Sequence, residues 1–477
     1  MLIRDAEIDF VRRVDMRIES GIITAIEPTL RPLPDEDVLD AQGHALLPGL
    51  HDHHLHLVAL AAALDALHCG PPQVTNADAL AAALCACAAA CAKGEWIRGI
   101  GYHESVAGDI DRTWLDRIVS DHPVRIQQRS GRLWIFNSCA LERLGIGDGE
   151  PLPAGMECVD GQKQGQGQGQ ANGRLFDADL WLRERLPRAF PSLQRVGALL
   201  AAYGVTGVTD TTPHNDLTQF RHFVAAHAAH ELKQDILVMG DASLDTAPDT
   251  NGIWRGPTKF HLHEHALPPF DVMIEQIRRS HAVDRPVAVH CVTLTELVFA
   301  LGALESAGGM PGDRIEHASV VPDDVLPLLV EHGVAAVTVA VVTQPNFILE
   351  RGDAYLRDVD AVDQPWLYRL RGLQEAGLPL AGSTDAPFGD VNPWTAMQAA
   401  VDRRSRDGAT LGAHEALTPE AALRLFLAPL RAPGGPPRHI AVGAAADLCL
   451  LDRPWAKARC DLAAVQVAAT FKGGVRI

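Results

Sequence analysis

The hydrophobic pattern of the chain changes period between its ends and its middle. Over residues 1–47 apolar and polar side chains alternate, with turns at Glu19-Ser20-Gly21 and Gln42-Gly43, which predicts short β-strands such as Ile22–Ile26. The alternation returns near the C-terminus in Asp447-Leu448-Cys449-Leu450-Leu451 and Val465–Phe471, with Lys472-Gly473-Gly474 as a hairpin turn. Period two at both ends predicts one small sheet domain assembled from residues 1–47 and 432–477, around a middle of residues 48–431.

In that middle, apolar runs of strand length alternate with helical periodicity, most clearly from residue 286 onward. Pro286–Cys291 reads as a strand and Leu294–Ser306 as a helix stopped by Gly308-Gly309. Arg314–His317 is the next strand, followed by a helix over Asp323–His332 with acids at its start and His332-Gly333 at its end, as the helix dipole favours. Val334–Val339, a helix over Trp366–Glu375 and the strand Leu378–Ser383 continue the series, while Arg351-Gly352-Asp353 reads as a loop after the seventh strand. Counting backward, Lys259–His263, Asp235–Met239, Val205–Asp210 and Leu50–Leu57 bring the strands to eight. Strands joined by helical crossovers form a parallel sheet, and eight of them predict an α/β fold of the (β/α)8 TIM-barrel type. Two further strands, Trp96–Ile100 and Pro123–Gln128, fall in an insertion of residues 65–200 between the first and second barrel strands. Within it, the Gly- and Gln-rich stretch Gly161–Gln170 has nothing to bury and predicts a mobile surface loop.

Composition narrows the partners. The chain has 477 residues, 47% hydrophobic and 21% charged, which is ordinary for a globular protein and long enough for a barrel of ~250 residues with additions. With 42 Lys+Arg against 60 Asp+Glu the net charge is −18, the wrong sign for a nucleic-acid surface. The longest apolar run, Ala79–Ala92, falls short of the ~20 residues that span a bilayer, and Met1–Glu7 carries charges where a signal peptide needs an apolar core. The nine cysteines contain no CxxC pair. Cys85 and Cys87 would point about 200° apart on a helix, so the trio with Cys91 reads as helix packing rather than metal ligation. We therefore expect a soluble cytoplasmic protein with reduced thiols and a small-molecule partner, with a homodimer as the commonest oligomer.

The candidate chemistry lies at strand ends. His54-Leu55-His56 ends the first barrel strand, and residues at i and i+2 share a strand face, so both imidazoles can reach one ion. His51 and His53 fall on the opposite face, as packing or supporting groups. His290 ends Val287-Ala288-Val289, His317 ends Arg314-Ile315-Glu316, and Asp385 follows Ala381-Gly382-Ser383-Thr384. In a barrel such positions converge on the C-terminal face, where active sites lie. Four histidines and a carboxylate suit a divalent ion such as zinc, with iron or manganese also fitting; for any single histidine the alternative is a satisfied core residue.

The run Pro48-Gly49-Leu50-His51-Asp52-His53-His54-Leu55-His56, with His290, His317 and Asp385 on later strands, resembles the amidohydrolase superfamily of metal-dependent hydrolases. More narrowly it is similar to the branch containing YtcJ-like proteins and N-substituted formamide deformylases, amidohydrolase family 3. The features that carry this are Trp96-Ile97-Arg98-Gly99, Phe136-Asn137-Ser138, Gly256-Pro257-Thr258-Lys259 and Gly382-Ser383-Thr384-Asp385-Ala386-Pro387, with Gly443 and Ala446-Asp447-Leu448 near the C-terminus. The resemblance implies a barrel with a composite β-sandwich, and one or two divalent ions held from strands one, five, six and eight. It also implies a strand-four lysine in two-metal members, typically carboxylated by CO2 to a bridging carbamate, and the strand count puts Lys259 there. The other reading of Lys259 is a strand-end lysine paired with Glu264 or a surface acid.

Two positions depart from what the family implies. His263 stands where many relatives carry an acid, within His261-Leu262-His263-Glu264-His265, and can line the site. Arg132 stands where relatives commonly have a histidine; it either clamps a substrate carboxylate bidentately or is a surface residue. Tyr102, His103, Trp134, Asn137, Gln344 and Trp394 are further substrate-side candidates, each with a packing alternative. A divalent ion lowers the pKa of bound water from 15.7 toward ~7, and no Gly-x-Ser-x-Gly elbow offers a serine route. Asp385 would then accept the water's proton and pass it to the leaving nitrogen, while Asp210 and Glu316 are candidate acceptors for the far imidazole nitrogens. The expected reaction is hydrolysis of a C–N bond in an amide, N-substituted formamide or cyclic amide. The alternatives are a catalytically silent metal-containing binding protein, or an isomerase or decarboxylase on the same metal site.

Overall fold

Eight strands with largely buried side chains pair in strict sequence order: β1 (Leu50–Leu55), β2 (Val205–Asp210), β3 (Asp235–Gly240), β4 (Ile253–His261), β5 (Val287–Cys291), β6 (Arg314–His317), β7 (Ala340–Thr343) and β8 (Leu380–Gly382). Every neighbouring pair is parallel. Just past β8, the Asp385 N–H donates to the His54 carbonyl and the His56 N–H to the Ala386 carbonyl, both at 2.9 Å, which joins the last strand segment to the first. The sheet is thus a (β/α)8 barrel. These relations come from a computed structural model, which describes residues 1–71, 73–147, 152–159, 170–186, 190–331 and 339–477.

The register places chemistry at one end of the barrel. His261 lies beside His290, and Cys291 beside His317, so the last residues of β4, β5 and β6 form one rim. The crossover helices start and stop where local chemistry dictates. Thr293 and Glu296 form a reciprocal capping box at the head of the helix Leu294–Ala307, and Gly308, with φ of 88°, ends it.

The two termini build a pair of four-stranded sheets. One contains Leu2–Ile8, Arg12–Glu19, Ile22–Glu27 and Val38–Asp40; the other contains Leu46–Pro48, Leu448–Leu451, Val467–Lys472 and Val475–Arg476. Ile3, Ile8, Met16 and Ile18 from the first share one buried core with Leu46, Leu448, Leu450 and Phe471 from the second. Period-two alternation at both ends therefore has a single cause, a shared apolar layer between two sheets.

Ala61–Pro191 form a second compact unit, and Met1–Leu60 with Ser192–Ile477 the first. The second unit has its own six-stranded sheet, in the order Met156–Cys158, Ala171–Phe176, Leu133–Phe136, Val124–Gln128, Ile97–Tyr102 and Leu67–His68. Its helix Ala77–Ala90 is capped by Asn76, and all nine cysteines of the chain are free, the Cys87 and Cys91 sulfurs lying 3.9 Å apart. Among the described residues no helix is long and apolar enough to cross a membrane.

Some expectations need correcting. Arg351-Gly352-Asp353 is not a loop but lies inside the helix Asn346–Asp358. Gly352 misleads because a glycine in a helical pattern reads as a break, whereas here a Cβ would come within 2.9 Å of Ser405 Cβ and glycine permits close packing. The helix expected over Trp366–Glu375 is split into a short turn at Gln364–Trp366 and a helix at Arg371–Glu375. Apart from Val339, the strand expected at Val334–Val339 lies outside the described residues, as do His332-Gly333 and the stretch Gly161–Gly169.

Candidate metal centre

His54 is set by a relay inside the barrel. Its Nδ1 bonds Glu316 Oε2, Glu316 Oε1 accepts from Arg314 Nε, and Arg314 Nη2 donates to the His53 carbonyl at 2.7 Å. A carboxylate on Nδ1 keeps the proton there, so the Nε2 lone pair faces the site. His56 Nδ1 lies 2.9 Å from Thr212 Oγ1. His317 Nδ1 lies 2.7 Å from Gln344 Oε1, and Gln344 Nε2 donates to Ser383 Oγ at 3.0 Å, which orients the amide and leaves His317 Nε2 free.

The rings then gather. Centroid separations are 5.6 Å for His54–His56, 4.8 Å for His54–His317, 4.4 Å for His317–His290, 4.2 Å for His290–His261 and 4.4 Å for His261–His263. Burial pushes His54 down to about 4 and His317 to about 3, and drives His290 lower still. At neutral pH these imidazoles are uncharged bases with lone pairs to offer.

Asp385 completes the cluster. Its Oδ1 is 3.5 Å from His54 Nε2 and 3.3 Å from His56 Nε2, and the ligand atoms of these three residues lie within 4.8 Å of one another. That buried oxygen accepts no hydrogen bond of normal geometry among the described residues. Both Asp385, at φ of 55°, and His317, at φ of 68°, occupy the left-handed region that side chains other than glycine avoid, a strain typical of functional positions. Asp52 fastens the arrangement from β1: its carboxylate accepts from the N–H groups of His54 and Thr384, at 3.1 and 3.2 Å, and from Thr384 Oγ1. Burial raises the Asp52 carboxyl to about 7.

Lys259, on β4, is buried with its Nζ unpartnered among the described residues. Burial pushes its ammonium down to about 8 against the attraction of Glu316 and Asp385, and its charge is felt by His54, His290 and His317. The pairing with Glu264 does not occur, since Lys259 Nζ has no partner among the described residues, and the Glu264 carboxylate instead accepts from Thr295 Oγ1 at 2.9 Å. Burial alone would raise Glu316, but Arg314, Lys259 and His54 hold it well below the carboxylate range.

The substrate-side candidates divide. His263 is exposed beside His261, past the end of β4. Gln344 is fully buried and spends its amide on His317 and Ser383. Trp394 is likewise buried, its Nε1 donating to the Tyr203 carbonyl at 3.1 Å. Within the 61–191 unit, Tyr102 donates to the Gly108 carbonyl at 2.6 Å. Asn137 accepts from the N–H groups of Val124 and Ala140 and donates to the carbonyls of Val119 and His122. Arg132 is exposed and held bidentately by Asp177, at 2.7 and 2.6 Å. Asp210 supports no imidazole among the described residues; it accepts from the Leu57 N–H and from Asn215 Nδ2, both at 2.7 Å. Arg314, Asp52 and Ser383 stand within the sequence motifs, but their supporting roles were not legible there, because these contacts join segments far apart in the chain.

Residues 37–477 match the family described as "Amidohydrolase family". The N-substituted formamide deformylase of Arthrobacter pascens is 26% identical over 494 aligned residues, covering 93% of this chain and 90% of that protein. The putative amidohydrolase YtcJ of Bacillus subtilis is 24% identical, covering 82% of this chain and 80% of its own. Among solved structures, an uncharacterized metal-dependent hydrolase from Pyrococcus horikoshii superposes with a TM-score of 0.77 at 20% identity, over 95% of this chain and 97% of that one.

Proposed function

The chain belongs to the amidohydrolase family, and from that premise we propose that it hydrolyses the C–N bond of an amide, N-substituted formamide or cyclic amide. The reaction takes place at a divalent centre held by His54, His56, Lys259, His290, His317 and Asp385. The observation that carries this reading is the approach of two imidazole Nε2 atoms to one carboxylate oxygen that accepts no hydrogen bond of normal geometry among the described residues. Nitrogen and carboxylate donors in a tight cluster suit zinc. When bound, the ion polarises the scissile carbonyl and makes water acidic enough to attack at neutral pH.

This chain's own groups do the rest. Glu316 and Gln344 hold His54 and His317 as neutral donors. Asp385 takes a proton from the attacking water and hands it to the departing nitrogen, so that the amine leaves neutral. Lys259, with its ammonium weakened by burial, reaches the free-amine form that adds CO2: the N–C bond forms, one proton leaves, and a carbamate anion results. Its oxygens would supply anionic ligands where the unpartnered Nζ now stands.

The test pairs Asp385→Asn with metal analysis and a panel of N-substituted formamides, amides, cyclic amides and esters. We expect turnover of at least one C–N substrate by the metal-replete protein, and a fall in kcat of roughly 10²–10⁴-fold in the variant. Absence of turnover across the panel with metal bound, or undiminished kcat in Asp385→Asn, overturns the reading.

A further inference from the structure

The sheet of the 61–191 unit carries an electrostatic anomaly that metal-dependent hydrolysis does not use. Its strands Ile97–Tyr102 and Val124–Gln128 run parallel, with Arg98 directly beside Arg125, so the two side chains share a face. The opposite face, from Ile97, Val124 and Ile126, is packed into a core with Leu80, Leu84 and Leu115. Like charges directly across a sheet repel. Both arginines are half-buried with Nε shut off from water, and neither has an ion-pair or side-chain hydrogen-bond partner among the described residues. Burial weakens both guanidinium groups, and with Arg98 alongside, Arg125 is pushed down to about 10. By contrast Arg174 of the same sheet is held by Glu157 at 3.0 Å and by Asp109 at 3.4 Å. Arg125 is further framed by the rings of Trp96 and Trp134, each 5.7 Å from its Cζ, and by Phe136 as its neighbour on the next strand. Indole faces hold a guanidinium in place without neutralising it.

A pair of adjacent guanidinium forks with no counter-charge among the described residues is complementary to an oxyanion. We propose that Arg98 and Arg125 form a binding site for a small ligand's oxyanion, a carboxylate or a phosphate, in the 61–191 unit. The forks supply charge and direction, and Trp96 and Trp134 keep Arg125 oriented.

Calorimetry on the full-length metal-loaded protein, with inorganic phosphate and with benzoate at constant ionic strength set by chloride, tests this. Tryptophan fluorescence is followed in parallel. Because a metal centre can also take anions, the relevant signal is the saturable component that the double variant Arg98→Gln/Arg125→Gln removes while its metal content stays unchanged. Each single Gln variant should weaken that component roughly tenfold or more. Arg98→Lys and Arg125→Lys, which keep the charge but lose the fork, should weaken it less, with far-UV circular dichroism unchanged. Saturation by phosphate alone assigns a phosphate source, and by benzoate a carboxylate source; either supports the site. Absence of any saturable component, or one that persists in the folded double variant, overturns it.

Discussion

The barrel rim and three motif positions of the insertion, Tyr102, Asn137 and Arg132, treat their polar groups in opposite ways. At the rim, each supported imidazole has one nitrogen tied to a partner and the other left bare: His54 to Glu316, His56 to Thr212, His317 to Gln344. In the insertion, Asn137 and Tyr102 spend their polar atoms on neighbouring backbone and Arg132 is clasped by Asp177. A motif position that is fully satisfied holds the fold together, whereas bare atoms that converge define a place for something else to bind. Asp385 Oδ1 and Lys259 Nζ are of the second kind.

The comparison breaks most completely under acid. His54 has its folded value lowered from 6.5 to about 4, so the unfolded chain binds more protons between those values. Stability should therefore fall, and metal should be released, as pH drops from about 6.5 toward 4. Thermal melting with metal analysis across that window checks it, and a flat profile would show that the rim histidines are not held neutral. A smaller effect is expected from Glu316→Gln, which removes the anion from His54 and from buried Arg314. Metal affinity should weaken roughly 10–100-fold, measured by competition with a chelator. Asn137→Ala should leave metal affinity and kcat unchanged, yet lower stability by about 1–3 kcal/mol as buried amide partners lose their bonds. A raised KM in that variant would move Asn137 from scaffold to substrate contact. Least of all, Arg132→Ala should alter neither melting temperature nor KM, since its pair with Asp177 is exposed; a raised KM would restore it as a carboxylate clamp.

Much of the architecture was legible because local chemistry spells it out. Val205–Asp210 is recognisable as a strand from its apolar run, and the helix from Leu294 from its Thr293/Glu296 cap and Gly308 stop. Asn346–Asp358 was not, because Gly352 answers to Ser405 and Leu411 in a distant segment rather than to its own neighbours. The site shows the same division. His54 and His56 stand out as candidates by spacing, His290 and His317 by lying at the ends of their strands, and Asp385 by following its strand closely. Glu316 could be named as a candidate support but not assigned, for its imidazole lies 262 positions away. Gln344 reads from sequence as a pocket residue, and only the barrel turns its amide onto His317.

By itself, then, the order of residues determined the periodicities, the strand count, the paired terminal sheets and which histidines are candidates to hold an ion. Those properties depend on a few consecutive side chains. Tertiary structure alone decided which nitrogen of each histidine is turned to the site, which carboxylate is shared and which arginines stand without a counter-charge among the described residues. Such outcomes depend on distances between atoms that only the closing of the barrel and the stacking of the insertion strands bring within a few ångströms.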